Sequence, residues 1–68
     1  MERLDVRGYS CPEPVLRTQA LVEAGKSKFE VLVDTNVSKE NVGRYLEEEG
    51  YKVSYSEEGE DFLLKAEK

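Results

Sequence analysis

Leu4 and Val6 are separated by Arg3, Asp5 and Arg7, a period of two that predicts a half-buried strand ended by Gly8. The loop Gly8-Tyr9-Ser10 then leads to Cys11, and the period lengthens. From Pro12 onward Leu16, Ala20, Leu21 and Ala24 fall on one broad helical face flanked by Val15 and Val22, with Gly25 as the C-terminal stop. Phe29, Val31 and Val33 alternate with Glu30, Leu32 and Asp34 to give a second strand. Asp34-Thr35-Asn36 follows as a turn, with Asp34 and Asn36 read as turn formers. Ser38 is the expected N-cap of a second helix whose apolar stripe is Val42, Tyr45 and Leu46 and whose stop is Gly50. Gly43 inside that helix costs ~1 kcal/mol relative to alanine. The tail reads as two strands, Tyr51/Val53/Tyr55 and Phe62/Leu64/Ala66, joined around Glu58-Gly59 as an antiparallel hairpin.

The order βαβαββ, with right-handed crossovers, places both helices on one face of a mixed four-stranded sheet, an α/β (α+β) two-layer sandwich. Phe29, Tyr45, Tyr51, Tyr55 and Phe62 fall at inward spacings and are read as core. The opposite sheet face would carry Arg3, Asp5, Arg7, Glu30, Lys52, Ser54 and Lys65, with Leu32 and Leu63 its only large apolar members. Such a face is expected to be solvated, or a modest docking surface.

Length and charge narrow the reading further. The 68 residues are expected to form one domain over 1–68, and a chain of this size buries only about 60% of the surface its unfolded form exposes. A deep pocket is not expected. The net charge of −5 argues against direct binding to nucleic acid, which needs lysine and arginine to neutralise phosphates. Acidic residues concentrate in Glu47-Glu48-Glu49 and from Glu57 to Asp61, which leaves the first half close to neutral. The start Met1-Glu2-Arg3-Leu4-Asp5 has no apolar signal region, and no apolar run approaches a membrane span, so no membrane association is expected. With one unpaired thiol, the expected location is the cytoplasm.

The candidate chemistry lies at Cys11 in Cys11-Pro12-Glu13-Pro14. The chain has a single cysteine and no histidine, so an internal disulfide, a redox cysteine pair, a Cys/His dyad and a multi-thiolate metal site are all excluded. Pro12 suits the first helical position and pushes Cys11 toward the extended backbone of an N-cap. A helix N-terminus carries roughly half a positive charge, which favours thiolate over thiol. Pro14 stiffens the first turn, and Glu13 opposes the thiolate. Arg7 and Arg17 are the nearest cations in sequence, with Arg17 expected to point elsewhere. A free cysteine is often only a small buried hydrophobe. Here it sits between Ser10 and two prolines, outside both apolar stripes, which favours an exposed nucleophile.

The segment Leu4-Asp5-x-Arg7-Gly8-x-x-Cys11-Pro12-x-Pro14-Val15-Leu16 resembles the signature of the TusA/SirA/YedF family of small sulfur-carrier proteins. That family also runs βαβαββ at about this length. The resemblance implies that Cys11 accepts a sulfane sulfur as a persulfide from a cysteine desulfurase and relays it to an acceptor protein, in tRNA thiolation or other sulfur or selenium metabolism. It implies no cofactor beyond that transient persulfide, no active-site base of the carrier's own, and action as a monomer. Arg7, Gly8, Pro12, Glu13 and Pro14 would frame the sulfur, with Arg7 steadying it or meeting the donor. The segment from Asp34 to Val42, with Gly50-Tyr51, is more like the YedF branch. The competing reading is a regulatory or protein-docking module in which Cys11 is incidental.

Overall fold

The structure is a computed structural model that describes residues 2–9 and 13–68. Its elements follow the predicted order: β1 (Glu2–Asp5), α1 (Glu13–Glu23), β2 (Lys28–Val33), α2 (Asn36–Glu48), β3 (Lys52–Glu58) and β4 (Asp61–Glu67). The strands form one mixed sheet in the order β1-β2-β4-β3. β1 runs parallel to β2, and β4 is antiparallel to both β2 and β3, so β2 and β3 are parallel with β4 inserted between them. Each of the two crossovers contains a helix, and the two helices pack together over one face.

Val6, Phe29, Val31, Val33, Leu64 and Ala66 line the helix side of the sheet and are essentially inaccessible. Val42 and Leu46 of α2 and Tyr51 close over them, and the rings of Phe29 and Tyr51 meet edge to face with centroids 5.4 Å apart. Tyr45 and Phe62 are partly buried at the margin of this core. Tyr55 is 47% exposed, although the pairing Tyr55↔Leu64 points it toward the helices. It lies on an edge strand and its ring runs over Gly43, where an added Cβ would stand 2.2 Å from the Tyr55 hydroxyl. The glycine that weakens α2 therefore leaves room for the Tyr55 ring against that helix.

Two local expectations change. The inward face of α1 is formed by Pro14 and Thr18, which are buried, with Val15, Leu21 and Val22 packed against the core. Leu16, at 51% exposure, and Ala20 and Ala24 face outward instead. Apolar spacing alone misphased this helix because a polar residue occupies its inner stripe. Thr18 is tolerated there because its hydroxyl donates to the Pro14 carbonyl at 2.8 Å, leaving no unpaired polar atom inside. The N-cap of α2 is Thr35, not Ser38. Thr35 has extended backbone and its Oγ1 accepts the Ser38 N–H at 3.0 Å, while Ser38 is buried in the first turn. The chain thus passes from β2 into α2 through only Asp34 and Thr35.

The opposite sheet face is less open than expected. Leu32 and Leu63 are paired across the two central strands and are only 7% and 5% exposed. Arg3 on β1 pairs with Glu30 at 3.1 Å and reaches Glu58, at the far end of the other edge strand, at 3.5 Å. That diagonal crosses the Leu32–Leu63 pair. Exposed ion pairs contribute little each, about 0 to 1 kcal/mol, but the methylene stem of a bridging arginine removes apolar surface from water.

The corrected phase of α1 is testable by urea denaturation. Leu16→Glu is expected to change stability by no more than about 0.5 kcal/mol, as for a surface site. Leu46→Ala in the core is expected to cost about 2 to 5 kcal/mol.

Candidate functional site

Parallel pairing places the carboxyl ends of β1 and β2 side by side, so the segment following Asp5 and the short link Asp34-Thr35 emerge at the same end of the sheet. β4 is antiparallel to β2 and begins at that end, with Val33 opposite Phe62, which brings Asp61 there as well. Crevices outside the carboxyl ends of strands are the usual ligand positions in open α/β sheets. Here Asp5, Arg7, Gly8, Tyr9, Asp34 and Asp61 line an open depression.

Arg7 organises this end. Its Nε and Nη2 donate to the two oxygens of Asp5 at 3.0 and 2.9 Å, and its Nη1 donates to Asp61 Oδ2 at 3.1 Å. The Arg7 backbone N–H also donates to Asp5 Oδ1. The hydrogen bond from the Arg7 side chain, then that from its backbone, hold the Asp5 carboxyl at about 2, below its ordinary 3.8. The Asp5 and Asp61 carboxylates push the Arg7 guanidinium further toward its charged form. Arg7 is thereby committed to two carboxylates and pins the end of β1 to the start of β4.

Gly8 follows with φ of 84°, the left-handed region, where a Cβ would be strained. Its N–H donates to Asp34 Oδ2 at 2.9 Å. Tyr9 closes the turn with a 3.4 Å bond from its N–H to the Val6 carbonyl. Arg17 turns back toward this loop, its guanidinium stacked 4.2 Å from the centre of the Tyr9 ring; its expected direction relative to Cys11 lies outside the described residues. Its Nε also donates to Glu13 Oε2 at 3.2 Å. One helical side chain, leaning toward its own N-terminus, thus holds residues 9 and 13 together. Pro14, next to Glu13, is buried.

Of the site residues expected from the sequence, Arg7, Gly8, Glu13 and Pro14 gather at this end. Cys11 and Pro12, the core of the motif, lie outside the described residues, as does Ser10. Sequence reasoning missed three contributors. Asp34 carried a usable signal, a carboxylate directly after an apolar strand; Asp61 carried none without the strand order, and the Tyr9–Arg17 contact depends on how the loop meets α1. Among the described residues no group of three or more His, Cys, Asp and Glu side chains is placed to hold a metal ion, and no helix is long and apolar enough to cross a membrane.

The Asp5–Arg7 pairing gives an acid-sensitive contribution to stability. Because folding depresses the Asp5 pKa, this contribution is fully present above about 3.8 and is lost as pH falls through about 2. Thermal melts of wild type and Asp5→Asn are expected to show a lower midpoint for the variant near neutral pH. The gap should shrink below about pH 4 and close near pH 2.

The same end of the sheet can be compared with known proteins. A protein of Methanocaldococcus jannaschii named as a candidate sulfur carrier is 44% identical over 62 residues, covering 88% of this chain and 83% of its own. The crystal structure of a SirA-like protein from Desulfitobacterium hafniense superposes with a TM-score of 0.82 at 31% identity, covering 97% of this chain and 95% of that one. Neither relative bears the name of the YedF branch expected from residues 34–42. Residues 2–68 match the family described as sulfurtransferase TusA, so that the βαβαββ sandwich and the segment Leu4 to Leu16 have one common origin: the chain belongs to the TusA sulfurtransferase family.

Proposed function

We propose that the protein is a sulfur carrier in which Cys11 is loaded as a persulfide by a cysteine desulfurase and unloaded onto an acceptor protein. The observation that carries this reading is the family match over residues 2–68, in a chain whose only sulfur nucleophile is the cysteine of the Cys11-Pro12-Glu13-Pro14 segment. The name of the Methanocaldococcus relative supports it. A location in the cytoplasm, where thiols stay reduced, goes with such a role.

The chemistry asks little of the carrier. The Cys11 thiolate attacks the terminal sulfur of the donor's cysteine persulfide; the donor S–S bond breaks, the donor sulfur leaves as a thiolate, and a new S–S bond forms on Cys11. Sulfane sulfur moves with no net oxidation or reduction. Unloading repeats the exchange, with an acceptor nucleophile attacking the terminal sulfur of the Cys11 persulfide. Since the chain has no histidine, proton management falls to the partners or to solvent.

The described residues bear on this in one respect. Arg7 and Arg17 are both already paired with carboxylates, so they favour a framing part over that of a free positive charge. Gly8 and Tyr9, just before the cysteine segment, line an open depression at the end of the sheet, and Glu13, just after it, is tied to Tyr9 through Arg17.

Intact-mass spectrometry after incubation with a cysteine desulfurase and cysteine tests the proposal. One added sulfur, removed by a thiol reductant, is expected on the wild type and none on Cys11→Ser. Addition to the serine variant, or none to the wild type across several desulfurases, would overturn it.

A further inference from the structure

We infer that β3 is a pairing edge for a second copy of this chain, the two β3 strands running antiparallel about a two-fold axis at Tyr55. The sheet order leaves β1 and β3 as its edges, and they are built differently. β1 spans four residues, of which Glu2, Arg3 and Asp5 are charged. β3 spans seven, pairs with β4 in unbroken register from Lys52↔Glu67 to Glu58↔Asp61, and contains no proline or bulge. Its centre, Val53-Ser54-Tyr55-Ser56, carries no charge, whereas edges protected against pairing usually do.

The hairpin fixes which backbone groups face outward. Glu58 and Asp61 flank the two-residue turn Gly59-Glu60 and so exchange backbone hydrogen bonds with each other. Alternation along an antiparallel pair then directs the N–H and C=O of Val53, Tyr55 and Glu57 away from β4, along the open edge. An antiparallel second β3 centred on Tyr55 sets Tyr55 opposite Tyr55 and Val53 opposite Glu57. Every outward-facing N–H in that stretch then meets an outward-facing C=O.

The side chains point to the same chain as the occupant. On the outer sheet face this register sets Lys52 opposite Glu58 of the other copy, and Ser54 opposite Ser56, each pair occurring twice by symmetry. These are the non-hydrogen-bonded positions, where Cα atoms stand about 4.5 Å apart and opposite charges attract. Lys52 forms no salt bridge among the described residues, since its cross-strand neighbour Glu67 pairs with Lys28 at 2.9 Å. Antiparallel pairing also sends the acidic tips, Glu57 to Asp61, to opposite ends. On the other face α2 packs over β3 and β4, so the two α2 helices would lie two strand spacings, about 10 Å, apart, an ordinary helix separation. The half-exposed Tyr55 rings stand beside the axis. No residue lining the depression at the sheet end lies on β3, so the dimer keeps two such depressions, at opposite ends of the doubled sheet.

Sedimentation velocity from micromolar to millimolar protein tests the inference, with a thiol reductant present to exclude a Cys11 disulfide and the folding of each variant checked by circular dichroism. A single strand edge buries about 1,200 Å² or less, so association is expected to be weak and concentration-dependent. The wild type is expected to rise from 7.8 kDa toward twice that mass. Glu57→Pro removes an N–H that faces the open edge, which the fold tolerates, and is expected to remain a single chain. Lys52→Glu and Glu58→Lys each set like charges opposite one another and are each expected to weaken association about tenfold. Mixed in equal amounts, the two variants restore opposite charges at both contacts and are expected to pair as the wild type does. If Glu57→Pro does not fold, the charge variants carry the comparison. A wild type that stays at 7.8 kDa throughout would overturn the inference and leave this edge to a strand of another protein. Dimers of folded Glu57→Pro, or a mixture no more associated than its separate components, would overturn it equally.

Discussion

The parallel pairing of β1 with β2 is the constraint on which the rest of this molecule depends. Glu2 to Asp5 lie opposite Phe29 to Leu32, so the two strands finish together and the two following segments must start together. Antiparallel β4 then begins at that same end. Every contact that frames the motif segment follows from this arrangement: Asp34 on Gly8, Asp61 on Arg7, and Arg17 from the first turns of α1 on Tyr9. A parallel pair needs a crossover, and the helix of that crossover, α1, starts at Glu13 within the motif. The position of these flanking residues is thus a consequence of sheet topology.

A sheet this small must also protect both of its faces. The helix side is covered by α1 and α2 in the ordinary way. On the other side the two central strands each carry a leucine, and Leu32 and Leu63 are hidden without any second layer of helices. Arg3 crosses that face between Glu30 and Glu58, and Lys65 joins Glu30 at 4.0 Å. The arrangement keeps the outer surface polar, and so soluble, while removing apolar area from water. It also uses up cations: Arg3, Arg7 and Arg17 are all paired with acidic groups in a chain of net charge −5.

Phe62, Tyr55 and Gly43 show how a weak local choice becomes a global necessity. Gly43 lowers the helix propensity of α2, and read along the chain it is a defect. Across the fold it is a position where an added Cβ would meet the hydroxyl end of the half-exposed Tyr55 side chain on β3. Lys39, one turn earlier, lies 4.8 Å over the ring of Phe62 and closes the same seam. At this seam the helix bears no side chain at Gly43 and, at Lys39, one long enough to lie over an aromatic ring.

Much of this was legible in the order of residues. Period-two and helical spacings located all six elements, the glycines marked their ends, and the crossover rule placed both helices on one face, because these depend on neighbours close in sequence. The motif from Leu4 to Leu16 was equally visible, since a lone cysteine between Ser10 and two prolines is a local feature. The phase of α1 was not, because the residue that decides it, Thr18, is polar and becomes acceptable inside only by bonding its own helix at Pro14. Nor was the cap of α2, where Thr35 and Ser38 are both competent by chemistry and the shortness of the link after β2 selects the first. The sequence by itself determined which elements form and offered a single cysteine as the candidate nucleophile. Only the tertiary structure decided that Asp34 meets Gly8, Asp61 meets Arg7 and Arg17 meets Tyr9, because strand order, register and the way the loop meets α1 are set by packing across the fold and not by neighbours in sequence.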